Sequence, residues 1–302
     1  MNTQTLIPQA SIQSEIRLGK ILFATDFSEA SRHAETYAVA LARLFGARLF
    51  ALHVGMSAEA LMPYAEVSPY LMDKVRQARD LQMRLLEESL QREGIPSGCI
   101  LEEGDVKETI NEIIQHYSID LVVLGTHGRQ GLTRTLLGST AENVFRSTTL
   151  PVLTVGPHSD SLDPHRPITH IVYATDFTRD YDIAARYALS IARKFHAGLT
   201  LMHVTPEGIN AGADQERLEK YCYDKLRKLV PEFDCEWCHV EHLVEHGDAV
   251  DRIVQVANNQ RADLIVLGVH NAIQLMSPTP ERTAYQIICR ANCPVLTILP
   301  KQ

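Results

Sequence analysis

Gly125, Gly128 and Gly138, followed at once by Ser139 and Thr140, have the spacing with the most specific chemistry in this chain. An apolar run, LVVLG, ends at Gly125, and Ser139 opens STAENVFRS, whose apolar positions recur at helical spacing. Strand, glycine-bearing loop and helix start follow one another in the order that holds an anion. Glycine has no Cβ, so backbone N–H groups can approach a phosphate, and the first turn of a helix offers unpaired N–H groups in a favourable dipole. The hydroxyls of Ser139 and Thr140 add donors at the helix start. A solvated loop with turn glycines and a serine cap would use the same residues. The full constellation in a strand-to-helix setting favours the phosphate.

The elements that must position this loop can be read from an internal repeat. ILFATDF from Ile21 recurs as IVYATDF from Ile171, and YAVALARLFGARLFALHV from Tyr37 recurs as YALSIARKFHAGLTLMHV from Tyr187, both at an offset of 150. DLVVLG from Asp120 and PVLTV from Pro151 recur as DLIVLG from Asp263 and PVLTI from Pro294, at 143. The second copy is seven residues shorter in its middle, and a period this long means two domains rather than a solenoid. Each copy alternates short β-branched runs with amphipathic segments, the pattern of βαβ units around a parallel sheet. The fold class expected is α/β: two repeated doubly wound, Rossmann-like domains, each a five-stranded parallel sheet flanked by helices. Strands are expected near 20–26, 47–54, 98–103, 120–125 and 150–155, then near 169–175, 199–204, 240–245, 263–268 and 294–299. Helices are expected near 28–45, 70–93, 106–117 and 139–148. The boundaries are 18–156 for the first domain, 157–167 for a linker containing Pro157, Pro164 and Pro167, and 168–300 for the second domain.

Composition narrows the function. With 302 residues, 45% hydrophobic and 22% charged, the chain reads as an ordinary globular protein without an apolar run long enough to span a membrane. Its N-terminus lacks a signal-peptide pattern, so the cytoplasm is the expected location. A net charge of −8 and the lack of a basic cluster argue against nucleic acid as a partner. The six cysteines are too sparse for a disulfide scaffold and read as reduced thiols. Cys235, Cys238, His239, His242 and Cys222 include a CxxC with neighbouring histidines, but no second CxxC completes a zinc set. His239 and His242 fall on opposite faces of an expected strand, so no metal site is assigned.

In a doubly wound sheet, ligands sit outside the carboxyl ends of the strands, where the strand order reverses. ATDFS, HVG and the glycine loop of the first copy should meet there. Asp26 is a candidate acceptor for an adenine amino group or a ribose hydroxyl. It also reads as the cap of the following helix, with Glu29 completing a capping box. Val54 either lines an apolar slot for a base or is an ordinary core valine. Tyr64, Pro69 and Tyr70 lie in the long connection after the second strand, which either folds over a base or forms a surface loop.

ATDFS, ALHV, the pair Gly104–Asp105 and DLVVLGTHGRQGLTRTLLGSTAENVFRSTTLPVLTV together resemble the universal stress protein family in its tandem form, over about residues 18 to 300. The resemblance extends to the adenine nucleotide alpha-hydrolase-like class of folds. ATP-binding members carry Gly, two residues, Gly, nine residues, Gly and then Ser or Thr; this chain has Gly125, Gly128, Gly138 and Ser139 at that spacing. By position, the resemblance implies that Asp26 and the backbone of Ala24 and Thr25 contact adenine or ribose, and that Val54 packs on the base. It places Leu124 and Gly125 beside the ribose and Gly128, Gly138, Ser139 and Thr140 on the phosphates, with Mg²⁺ carried through the phosphates. His127 and Arg129 stand close enough to assist. In the second copy Gly268 remains, but Asn271 replaces the second glycine and Glu281 and Arg282 stand where Gly and Ser should be. A glutamate there repels phosphate, so Asp176 is expected in a site without triphosphate, leaving one nucleotide per chain.

The reading is therefore an ATP-binding regulatory module of the stress response. The alternatives are a slow ATPase using the same site, and a dimerisation scaffold that is empty or holds AMP. An adenylating enzyme fits poorly, because ATDFSEA lacks a glycine- and serine-rich loop after the first strand. The resemblance also implies that PVLTV and PVLTI pair as apposed edges, and that tandem chains form a homodimer.

Overall fold

Runs such as ILFA, LVVLG and LIVLG are apolar on both faces, which suits central strands of a parallel sheet covered by helices on each side. The computed structural model describes residues 16–56, 69–126, 140–141, 144, 148–156, 158–159, 168–178, 181–207, 213–229, 239–269 and 283–299. The first half runs β1 (Lys20–Ala24), α1 (Glu29–Phe45), β2 (Arg48–Gly55), α2 (Pro69–Arg92), β3 (Ser97–Glu103), α3 (Val106–Tyr117), β4 (Leu121–Gly125) and β5 (Val152–Val155). Thr140, Ala141 and Val144 have helical backbone between β4 and β5. The second half runs β6 (His170–Ala174), α4 (Tyr181–Phe195), β7 (Gly198–Thr205), α5 (Ala213–Leu229), β8 (Val240–His246), α6 (Ala249–Asn259), β9 (Leu264–Gly268), α7 (Thr283–Arg290) and β10 (Val295–Ile298).

The ten strands form one sheet in the order β3-β2-β1-β4-β5-β10-β9-β6-β7-β8. Within each half every described pairing is parallel, and β1 lies between β2 and β4 with Ala24 opposite both Leu52 and Leu124. Strand order therefore reverses at β1 and β4, and the crevice at their carboxyl ends is where this topology admits a ligand. The halves meet through β5 and β10, which pair antiparallel with Leu153 opposite Leu296. That is the edge-to-edge pairing anticipated for PVLTV and PVLTI. One face of the sheet buries Ile21, Phe23, Leu153, Ile171, Tyr173 and Leu296 in a core shared by both halves.

Local signals end the elements where the sheet requires it. Ser28 caps α1, its hydroxyl accepting from Ser31 N at 3.3 Å, and Gly46 closes the helix in the left-handed conformation at φ 62°. Asp105 and Asp248 cap α3 and α6 in the same way, so the Gly-Asp pairs of both repeats are a turn and a helix start. The strand expected over 20–26 stops at Ala24. Thr25 still donates its N–H to Leu52 O at 2.9 Å, but Asp26 and Phe27 turn away, with Phe27 at φ 61°.

Leu153 and Leu296 are both buried where the halves join. Leu296→Ala is expected to cost about 2–5 kcal/mol. Because sheet and core are continuous, the loss should appear in chemical denaturation as a shift of one transition reported equally by probes in each half. Unfolding of the second half alone would contradict that continuity.

Candidate functional site

A crevice opens at the carboxyl ends of β1, β2 and β4, where a doubly wound sheet admits a ligand. Its apolar wall comprises Leu52, Val54, Val106, Ile110 and Leu124; Thr25, Asp26, Ser31, Thr126 and Thr140 supply the polar groups. Of the residues singled out from sequence, Ala24, Thr25, Asp26, Val54, Leu124, Gly125 and Thr140 all line this crevice. His127, Gly128, Arg129, Gly138 and Ser139 lie outside the described residues, as do Asn271, Glu281 and Arg282 of the second copy.

The β1–α1 turn sets the position of Asp26. Phe27 N donates to Thr25 Oγ1 at 3.0 Å, and Phe27 packs against His53 with ring centroids 4.8 Å apart. His53 in turn donates from Nδ1 to the carbonyl of Thr25 at 2.8 Å. These contacts hold a non-glycine residue at positive φ, a conformation that needs outside support. Asp26 does not cap α1, since Ser28 takes that position. Instead Asp26 Oδ1 accepts from Ser28 N at 3.0 Å and from Ser31 Oγ at 2.6 Å. Ser31 is 5% exposed and reaches back from the first turn of α1, so it fixes the carboxylate on the crevice wall.

Gly125 lines the crevice, but its lack of a side chain has another cause. A Cβ there would stand 2.8 Å from the carbonyl carbon of Ala30 and 2.9 Å from its oxygen. The start of α1 packs on the end of β4 more closely than any side chain allows. Helix packing by itself thus requires glycine at position 125.

The second half repeats the turn. Phe177 has φ 57° and packs on His203 at 4.6 Å, and His203 Nδ1 donates to Thr175 O at 2.7 Å. The surroundings differ. Asp176 Oδ1 accepts from Thr178 N at 3.0 Å and from the Thr178 hydroxyl, because Tyr181 stands where Ser31 does in the first half. Val269 likewise replaces the buried Thr126. Tyr181 packs against Phe177, Lys225 Nζ lies over both rings, and the Tyr173 hydroxyl donates to Tyr181 O at 2.7 Å. Burial pushes the Tyr173 hydroxyl above the usual phenol range. The second copy thus loses two crevice hydroxyls and gains aromatic packing.

Sequence reading missed Ser31, Thr126, Val106, Ile110 and the bracing role of His53. The repeat carried a signal for two of them, since Ser31 against Tyr181 and Thr126 against Val269 are polar-to-bulky changes inside matched segments. The four described cysteines are not among the residues lining the crevice. Burial raises the thiols of Cys222 and Cys289 and lifts Cys99 to about 11 and Cys293 to about 12, the direction opposite to that of an activated thiol. Cys235 and Cys238 lie outside the described residues. Among the described residues no group of three metal-ligating side chains occurs, and no helix is long and apolar enough to cross a membrane.

A parallel sheet of order 3-2-1-4-5, built twice and joined through its last strands, defines a tandem doubly wound α/β protein. The chain belongs to the universal stress protein family, whose sequence model matches residues 18–156 and 167–298. A universal stress protein of Methanocaldococcus jannaschii is 32% identical over 143 residues, covering 45% of this chain and 81% of that protein. One from Bacillus subtilis is 30% identical over 144 residues, covering 45% of this chain and 97% of its own. Each relative thus corresponds to about one of the two repeats. A solved universal stress protein from Archaeoglobus fulgidus shares the fold over 94% of this chain and 99% of its own, with a TM-score of 0.70 at 19% identity.

The close approach at Gly125 has no equivalent at Gly268, where a Cβ would meet only Ala184 Cβ at 3.5 Å. Gly125→Ala is therefore expected to cost about 1–3 kcal/mol and Gly268→Ala less than about 0.5 kcal/mol. Thermal or urea melts of the two variants measure the difference.

Proposed function

We propose that this protein binds one adenine nucleotide, ATP, in its first half and acts as a regulatory stress-response protein of the cytoplasm rather than as an enzyme. The observation that carries the reading is the crevice itself, an apolar slot whose wall also carries a fixed carboxylate, Asp26, and Thr140 on helical backbone. Base and ribose would occupy the end bounded by Val54, Leu124 and Asp26. The phosphates would lie toward Thr140 and the spacing of Gly128, Gly138 and Ser139, where a helix start favours negative charge. Mg²⁺ would be held through the phosphates, because Asp26 is the one carboxylate among the described crevice residues and is tied to Ser28 and Ser31. That tie also leaves Asp26 poorly placed to activate water beside the γ-phosphate. The replacement of Ser31 and Thr126 by Tyr181 and Val269 supports a single site per chain. The β5–β10 ladder uses up within one chain the edges that would otherwise join two, so a homodimer of tandem chains would form through another surface.

Calorimetric titration with ATP and Mg²⁺ tests the reading. Asp26→Ala is expected to weaken binding about tenfold or more and Ser31→Ala about fivefold, the loss of charge-assisted hydrogen bonds. Gly138→Glu should abolish binding by repulsion. Unchanged affinity in both Asp26→Ala and Gly138→Glu would overturn the site. Phosphate release followed in the same samples separates binder from ATPase. Sustained turnover that disappears in Asp26→Ala while ATP stays bound would replace the regulatory reading with the enzymatic one.

A further inference from the structure

β8 lies at one end of the ten-stranded sheet, and among the described residues no strand pairs with its outer side. Leu199 N donates to His239 O at 2.9 Å and Gly247 N to Thr205 O at 3.0 Å, so residues 239, 241, 243, 245 and 247 turn their backbone groups toward β7. Alternate residues of a parallel strand serve opposite neighbours, so the N–H and C=O of Val240, His242 and Val244 point outward. Beside this edge α5 presents Glu216, Glu219, Lys220 and Tyr223 on one helical face, and an open groove runs between that face and residues 242–244. His242 forms part of the groove wall. Its ring meets Tyr223 edge-on with centroids 5.8 Å apart, and its Nε2 is buried with no hydrogen-bond partner among the described residues. A buried polar atom is normally paired, by the protein or by what binds there. Burial, with Arg227 nearby, pushes the imidazole below its usual range, so a neutral hydrogen-bonding group suits it. The matching edge of the first half is built differently. Arg76 and Arg79 of α2 reach Glu103 at the end of β3, at 3.5 and 3.1 Å, and charges laid across an edge keep other chains off it. β8, with the sequence VEHLVEH, has no lysine, arginine or proline to do the same.

We propose that β8 and α5 form a docking groove for an extended basic segment of another protein, which adds to the sheet as a further strand along β8. Main-chain pairing with His242 and Val244 holds the segment, and its alternate side chains, directed between strand and helix, set the selectivity. Glu216 and Glu219 outnumber Lys220 on the helix wall, and both glutamates are exposed, so Lys or Arg is favoured at the positions facing α5. A hydroxyl or amide side chain of the segment, lying between them, pairs with His242 Nε2. The groove is separate from the first-half crevice, and docking and nucleotide binding stand or fall independently.

Selection of a randomised heptapeptide phage library on the full-length chain tests it. Enriched peptides should be rich in Lys and Arg. Synthesised with a fluorescent label, they should bind Val244→Pro at least about tenfold more weakly than wild type, because the proline removes an outward N–H that an edge strand can spare. Glu216→Lys with Glu219→Lys should weaken them about tenfold as well, and these exposed positions keep the test sound should the proline disturb the fold. Amide hydrogen exchange should show His242 and Val244 gaining protection with peptide bound, while Leu243 and Glu245 are protected by β7 throughout. A library that yields no binder overturns the proposal. So do enriched peptides poor in Lys and Arg, or binding unchanged by either variant. Protection of His242 and Val244 without peptide also overturns it: protection that rises with protein concentration assigns the edge to a second copy, and protection independent of concentration assigns it to the chain's own residues.

Discussion

The antiparallel ladder between β5 and β10 is the constraint on which the rest of the molecule depends. Each half is a sheet of five parallel strands whose last strand would otherwise expose unpaired N–H and C=O groups. Joining those edges satisfies them and gives the two halves one core, with Leu153 and Leu296 at its centre. The antiparallel sense has a geometric consequence. All strands of the first half run with β5 and all those of the second with β10, so the two switch-point crevices open on opposite edges of the ten-stranded sheet. A ligand in one cannot touch the other, and each copy is free to diverge around its own crevice.

The divergence is selective. Both halves keep the Thr-Asp-Phe turn with phenylalanine at positive φ, and both keep the histidine that packs on it and donates to the threonine carbonyl. That apparatus serves the turn itself, since it persists where the crevice has changed. What changed are the groups facing the crevice: a serine that holds an aspartate became a tyrosine stacked in an aromatic cluster, and a buried threonine became valine. Gly125 follows a third logic, retained because α1 packs on β4 without room for a Cβ, while Gly268 has room to spare. His53, Ser31 and Gly125 thus answer to the turn, to the crevice wall and to helix packing.

Much of the fold was legible because the repeat compares the chain with itself. Strand positions, helix positions and the pairing of PVLTV with PVLTI follow from apolar period and offset, both properties of the linear chain. The crevice was half legible. Asp26, Val54, Leu124, Gly125 and Thr140 line one crevice, because they lie at or beyond the carboxyl ends of recognisable strands. Ser31 was not legible, because its value lies in reaching back to Asp26 across a turn of α1. The capping box read from Asp26 and Glu29 was displaced two residues by Ser28, since both residues can cap and only the course of the turn decides between them.

The sequence by itself determined the duplicated α/β architecture and which half carries the full glycine spacing, because periodicity, offset and glycine spacing are written along one dimension. Only the tertiary structure decided that Ser31 and His53 fix the first crevice, that Gly125 answers to Ala30, and that α5 and β8 bound a groove with His242 on its wall. Those outcomes are distances between residues remote along the chain or set by a turn's course, and they come into being only when the chain closes on itself.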